Sequence, residues 1–312
     1  MSLMLEQTRS DIMKGSKSFS LASFFFDEEA RVGAWQLYSW CRHCDDQIDL
    51  AKDANEALSR LQELKLQTHS VFQLEQQSTH PWNAFQTMVV KHRVPMTYAQ
   101  DLLRGMQWDV EGAHIQSEAD LIDYCYCVAG TVGLMMTHVM KLSDVKAMNQ
   151  AVSLGIALQL TNISRDLKED FERGRIYIPK DWMSEFNLAP EELMNLLHRS
   201  QLQKLAQRLL ALADHYYEEG MSGLSALSLR AAWAVVIATY VYRDIGHQVR
   251  QGNLSIFDRR VVVSTPRKIW LLMKSSFYLL RLLPSRIRNP WKSVEIESVW
   301  KKQELFNEQG RR

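Results

Sequence analysis

Asp45 and Asp49 stand four residues apart in the run Trp40-Cys41-Arg42-His43-Cys44-Asp45-Asp46-Gln47-Ile48-Asp49. On a helix, Tyr38, Arg42, Asp45 and Asp49 fall within about 60° of one another, with the two carboxylates about 6 Å apart along the axis. Taken alone, such a pair reads as a solvated face stabilised by Arg42. A second run changes the reading. Gly155, Gln159, Asn162, Asp166 and Asp170 share one side of a helix, with Ile156, Leu158, Leu160 and Ile163 as apolar neighbours. A polar stripe inside an apolar helix implies a polar cavity rather than bulk solvent. Two D-x-x-x-D helices in one chain therefore predict carboxylates facing each other across a cavity. Hard oxygen ligands select Mg²⁺ or Mn²⁺ over zinc. Magnesium takes one or two carboxylates and completes its shell from water and phosphate oxygens. The expected ligand is a diphosphate, bridged by metal to Asp45, Asp49, Asp166 and Asp170. Arg42, Lys17 and Arg165 add positive charge that stabilises a departing diphosphate.

If a diphosphate leaves, a carbocation remains and must be kept from water. Phe19, Phe24, Phe25, Phe26, Tyr38, Tyr124, Val128, Val132 and Met135 are available to line such a cavity, and aromatic faces stabilise a cation without reacting with it. Each of these residues, taken singly, reads first as a plain core residue. The four cysteines, Cys41, Cys44, Cys125 and Cys127, raise the question of zinc. Positions i and i+2 on a helix point about 200° apart, so they cannot close a tetrahedral site unless the helix breaks at Tyr126. Nothing in the sequence marks a break there, and buried thiols are the expectation.

The elements that must position these residues are helices. Gly and Pro make only 20 of 312 residues, about half the average usage of roughly 12%, which argues against many short strands and turns. Asp27-Glu28-Glu29 leads into a helix from Arg31 to Leu50. Pro81 and Pro95 each start a helix, the second ending near Gly112. Ser117 and Asp120 form a capping-box start for a helix from Leu121 to Met140. Ser143 or Asp144 opens a long helix to about Phe171. Gly174-Arg175-Ile176-Tyr177-Ile178-Pro179 is a loop with an extended piece. Pro190-Glu191-Glu192 starts another helix, with further helices to about 218, over 221–250 and over 264–283. The reading is a single all-α domain of about ten helices, residues 1–290, with a polar C-terminal tail, 291–312.

The chain resembles the squalene and phytoene synthase family, the head-to-head trans-isoprenyl diphosphate synthases, over almost its full length. The resemblance rests on Ser16-Lys17-Ser18-Phe19, Leu37-Tyr38 through Asp49, and Tyr124-Cys125-Tyr126-Cys127-Val128-Ala129-Gly130-Thr131-Val132-Gly133. It continues in Gln159 through Asp166, Gly174 through Pro179 and Val241-Tyr242-Arg243-Asp244-Ile245-Gly246. It implies the isoprenoid synthase fold with a central cavity. It also implies 1–1′ condensation of two geranylgeranyl diphosphates to phytoene through a cyclopropylcarbinyl diphosphate, in carotenoid biosynthesis. The enzyme would be a prenyltransferase. By the same resemblance, Ser18, Tyr38, Arg42, Tyr124, Gln159, Asn162, Tyr177, Tyr242 and Arg259 surround the diphosphates and the reaction centre. Phe19, Val128, Val132 and Gly133 line the cavity. No reductant is consumed in that scheme, and no G-x-G-x-x-G fingerprint is present, so no nicotinamide cofactor is expected. Two farnesyl diphosphates giving a C30 product are the alternative within this chemistry. A non-catalytic interaction factor is the alternative outside it, disfavoured by the retention of all four aspartates with Asn162, Gln159 and Arg42.

The net charge of +1 excludes a globally basic nucleic-acid binder. The first thirty residues hold no apolar block of signal-peptide length. The longest apolar or weakly polar run, Ala231 to Tyr242, is about half of the ~20 residues a membrane span needs. A cytoplasmic protein is expected. From Arg259 to Lys292, however, there are nine Lys or Arg and no Asp or Glu, interleaved with apolar residues that include Trp270 and Phe277. Peripheral membrane association is the corresponding expectation, and other carotenoid-pathway enzymes are candidate partners.

Overall fold

Asp27 opens the first long helix: its Oδ1 accepts the Ala30 amide at 2.9 Å, and Glu28 and Glu29 occupy the positive first turn. The computed structural model describes residues 3–112, 115–251 and 261–288, and these contain helices and turns with no strand. In chain order the helices are α1 (Leu3–Gly15), α2 (Lys17–Ser23), α3 (Glu28–Asp49), α4 (Ala54–Phe72) and α5 (Trp82–His92). They continue with α6 (Met96–Glu111), α7 (Glu118–Cys125), α8 (Thr131–Val139), α9 (Val145–Glu172) and α10 (Lys180–Ser184). The last three are α11 (Arg199–Met221), α12 (Leu229–Gln251) and α13 (Thr265–Arg288).

Short side-chain acceptors cap several of these starts. Ser117 and Asp120 form the reciprocal capping box of α7, Asp144 Oδ1 accepts the Lys146 amide at 2.8 Å, and Ser228 Oγ accepts the Ala231 amide at 3.2 Å. Gly112, at φ +62°, ends α6 in the left-handed conformation that glycine adopts without steric cost.

Four places differ most from the sequence reading. One is the helix expected over 221–250, which starts only at Leu229, after a 3₁₀ turn over Ser222–Ala226. Residues 190–192 form a single 3₁₀ turn, followed by another at Leu196–His198, and the helix itself starts only at Arg199. Proline at a first turn permits a helix but does not compel one. The expected helix from Leu121 to Met140 is interrupted by a π turn over Tyr126–Gly130, so the chain does change register at Tyr126. Around that turn Cys125 and Cys127 are buried, as is Cys44, while Cys41 is half-buried; burial pushes all four thiols above their ordinary pKa. Finally, α9 kinks at Asp166, whose φ −104° and ψ 16° are not helical.

Two apolar cores flank the middle of the molecule. One gathers Leu160, Trp182, Leu205 and Tyr217 where α9 packs on α11 and α12. The other gathers Trp40, Phe85, Met88 and Leu102 between α3, α4, α5 and α6, with the Trp40 and Phe85 rings stacked at 4.0 Å. Between them run α3, α9 and the α7–α8 pair, which carry the candidate site. The stretch Glu118–Val139 is long and apolar enough, by length and composition, to cross a membrane. In this fold it is an inner wall: Leu121, Cys125 and Met135 are fully buried in the two cores.

Candidate active site

The two aspartate stripes face each other across a polar chamber of about 230 Å³. Asp45 and Asp49 come from α3, and Asp166 and Asp170 from α9. The chamber adjoins a larger, mainly apolar cavity of about 630 Å³. Asp45, Val128, Gln159, Asn162 and Arg165 line both. A charged end therefore opens into a greasy one.

Helix register alone brings Gln159 and Asn162 to this junction. Other site residues need more. The π turn lets Tyr124 of α7 face the polar chamber while Val128, Val132 and Gly133 face the apolar cavity. Close helix approach is required as well: a Cβ on Gly155 would sit 2.4 Å from the Ala129 carbonyl oxygen, and one on Gly133 would sit 2.4 Å from that of Ala151. After α9, Gly174 at φ +76° turns the chain back, so that Arg175 and Tyr177 line the polar chamber.

Phe24, Phe25 and Met135 line neither cavity: Phe24 is exposed, Phe25 packs on Trp233 and Met135 is core. Lys17, Phe26 and the candidates that follow line the apolar cavity. Ser18 and Phe19 come from α2, Tyr38 and Arg42 from α3, and Tyr242 from α12. The Phe19 and Tyr242 rings lie 5.3 Å apart. Arg42 is half exposed, and its guanidinium pairs with Asp46, at 3.1 Å through Nε, rather than with the aspartates on its own stripe. Arg259 lies outside the described residues.

Opposite charges hold part of the acidic set. Arg175 Nη1 donates to Asp49 at 2.7 Å and Arg173 Nη1 at 3.2 Å, while Arg165 pairs with Asp166. Burial, then the neighbouring Asp49, raises the Asp45 pKa to about 7. Burial, then Asp166, does the same for Asp170, also to about 7. Carboxylates this crowded call for a cation. The amide oxygen of Asn162 points the same way: it is buried and accepts no hydrogen bond, although the amide nitrogen donates to Gln159 at 3.3 Å. The donor set is all oxygen, which fits a hard divalent ion. Among the described residues no three acidic, His or Cys side chains converge to cage an ion by themselves.

Asp109 of α6 was not among the residues singled out from sequence. Its carboxylate accepts the Tyr177 hydroxyl at 2.7 Å and the Tyr124 hydroxyl at 3.1 Å, and the two phenol rings stack at 4.7 Å. Burial raises its pKa to about 6, against the lowering effect of Arg175 and the two hydroxyls. A signal was present: Leu102, Met106 and Asp109 continue one helical stripe, and a carboxylate on an apolar stripe requires partners.

A squalene/phytoene synthase profile matches residues 12–267. A 15-cis-phytoene synthase of Enterobacter agglomerans is 40% identical over 270 residues, covering 84% of this chain and 91% of that protein. One from Pantoea ananas is 39% identical over 282 residues, covering 88% and 90%. Among solved structures, a dehydrosqualene synthase in complex with ligand superposes with a TM-score of 0.82 at 30% identity, covering 89% of this chain and 97% of that one. The squalene synthase of Alicyclobacillus acidocaldarius, at 21% identity and a TM-score of 0.71, shares the fold. Profile, relatives and fold agree over most of the length: the chain belongs to the squalene/phytoene synthase family.

Proposed function

We propose that this chain condenses two molecules of geranylgeranyl diphosphate head to head to form phytoene, with release of both diphosphates. The observation that carries the reading is the junction itself. A carboxylate-lined chamber shares Asp45, Gln159 and Asn162 with an apolar cavity nearly three times its volume, so diphosphates and prenyl chains have separate, adjoining places. The relatives at 40% and 39% identity favour the C40 product. The dehydrosqualene synthase neighbour, at 30% identity, keeps two farnesyl diphosphates as the second reading.

Asp45, Asp49, Asp166 and Asp170 would hold Mg²⁺ ions, with Mn²⁺ as a substitute. When bound, such ions supply charge neutralisation for the departing diphosphates. Arg165 and Arg175 add fixed positive charge at the same wall. As the donor C1–O bond breaks, C1 bonds to the acceptor double bond, closing a cyclopropyl ring with loss of a proton. A second C1–O cleavage then lets the ring open to the 1–1′ product with loss of another proton. Phe19, Val128 and Val132 line this cavity with groups that offer a cation no nucleophile, and the Tyr242 ring, 5.3 Å from that of Phe19, adds an aromatic face. The chain would work in the cytoplasm, peripherally at a membrane, beside other carotenoid-pathway enzymes, since its product is a hydrocarbon.

Incubation with labelled geranylgeranyl or farnesyl diphosphate, with Mg²⁺ or with EDTA, tests this reading by product mass. The expected result is phytoene from the C20 substrate, dependent on the metal. A C30 product alone, or unchanged turnover in EDTA, would overturn the corresponding part.

Asp109→Asn isolates the tyrosine pair. The variant keeps size but replaces a charged acceptor of two phenols with a weaker one, and charge-assisted hydrogen bonds are roughly twice as strong as neutral ones. Turnover should fall about tenfold or more, with the melting temperature unchanged or higher, because a buried charge is removed. Wild-type turnover would show that the pair needs no anion between its hydroxyls.

A further inference from the structure

Among the described residues, α13 packs against α12 and the Ser222–Ala226 turn through one face. Leu271 and Ser275 are buried, Ser275 Oγ accepts the Trp233 indole N–H at 3.1 Å, and the Tyr278 ring meets that of Tyr240 at 6.0 Å. The opposite face carries Ile269, Trp270, Met273, Phe277 and Leu280, from 43% exposed at Trp270 to 70% at Phe277. At 100° per residue these five span about 100°, a continuous apolar stripe pointing to solvent. A contiguous exposed apolar surface of this kind marks an interaction site.

Charge identifies the partner. Residues 259–292 contain nine Lys or Arg and no Asp or Glu, in a chain of net charge +1. Two of these cations flank the stripe: Lys274 Nζ lies 5.2 Å from the Trp270 ring centroid, and the Arg267 guanidinium 4.6 Å from it. Arg267 also donates to buried Asp244 at 2.7 Å, which fixes the first turn of α13 to α12. An apolar stripe with Trp and Phe, flanked by Arg267 and Lys274, has the form of a helix lying in an anionic lipid interface.

Position adds a purpose. Val261, Val262, Val263 and Lys268 line the apolar cavity, and Val262 is also 68% exposed, so the cavity reaches the surface there. The stripe begins at Ile269, next to this rim. We propose that α13 lays Ile269, Trp270, Met273, Phe277 and Leu280 into an anionic bilayer, placing the cavity rim at the lipid surface. A hydrocarbon product then leaves into lipid without crossing water; that consequence rests on the proposed condensation, whereas the docking does not.

Co-sedimentation of the full chain, without substrate, tests the surface directly. The vesicles are phosphatidylcholine alone or phosphatidylcholine mixed with phosphatidylglycerol. The wild-type chain should bind the mixed vesicles and bind neutral ones far more weakly. Raising salt to about 1 M, where the Debye length shrinks to about 3 Å, should weaken binding without abolishing it, because the apolar contribution remains. Trp270→Ser combined with Phe277→Ser should bind at least about tenfold more weakly, since binding scales with the apolar area inserted. Met273→Ser with Leu280→Ser gives a second variant should the first not fold, and far-UV circular dichroism checks both. Wild-type protein left in the supernatant with both vesicle types, or serine variants that bind as wild type, would overturn the proposal. Equal binding to both vesicle types would overturn anionic lipid as the partner. Product formation by the same proteins in detergent reports separately on the condensation.

Discussion

Asp45→Asn and Asp166→Asn should each lower turnover by about 10²-fold or more, because each removes a carboxylate from a wall whose other groups cannot replace its charge. The two variants come from opposite walls, α3 and α9, so a loss in both tests whether the chamber works as a unit. Stability should move the other way. The folded-state pKa of Asp45 is raised to about 7, so in the metal-free protein its ionisation opposes folding. A carboxyl with a raised folded pKa binds its proton more tightly in the native than in the unfolded chain. The native state is therefore favoured at low pH, and that contribution is lost as pH rises from about 4 to about 7. In EDTA at pH 8, Asp45→Asn should melt at a higher temperature than wild type, and the difference should vanish near pH 4. Thermal melts across that window, paired with product assays, check both halves. Near wild-type turnover in both variants would sink the metal-bridge reading. A lower melting temperature for Asp45→Asn at pH 8 would show that the carboxylate has a structural partner in the metal-free chain.

The second large effect is steric. Gly155→Ala would put a methyl group 2.4 Å from the Ala129 carbonyl oxygen and 2.9 Å from the Gly130 Cα, with backbone on both counts and no flexible side chain to give way. α9 and the π turn would have to separate. Such overpacking costs about 3 kcal/mol, enough to lower the melting temperature by about 4–5 °C in a chain of this size. Turnover should fall with it, since Val128 on one side of the contact and Gln159 on the other both line the two cavities. Gly112→Asn is the control: nothing lies within 4 Å of its Cβ position, and asparagine tolerates the φ of +62° there. A Gly155→Ala melt no different from that control would show that the helices are less tightly apposed than the structure has them.

Much of this site could be read from local order alone. Helical periodicity relates residues three and four apart, so the stripes Tyr38–Arg42–Asp45–Asp49 and Gln159–Asn162–Asp166–Asp170 followed from the sequence, as did the cap at Ser117, while the structure chose Asp144 over Ser143 for the next. The same logic predicted an all-α fold from scarce glycine and proline. It stopped where a local rule has no preference. The π turn at Tyr126 is one such place, because five-residue and four-residue helical turns read alike in sequence and only packing against Gly155 and α6 distinguishes them. The pairings of the acids are another. Asp49 meets Arg173 and Arg175 across more than 120 residues of chain, and Asp109 meets Tyr177 across 68. Residue spacing determined which carboxylates share a helix face, because that is a property of one backbone. Which arginine and which tyrosine those carboxylates meet, and that a charged chamber opens into an apolar one, was decided by how α3, α6, α9 and the Gly174 turn pack together, since contacts between elements depend on crossing geometry that no single segment encodes.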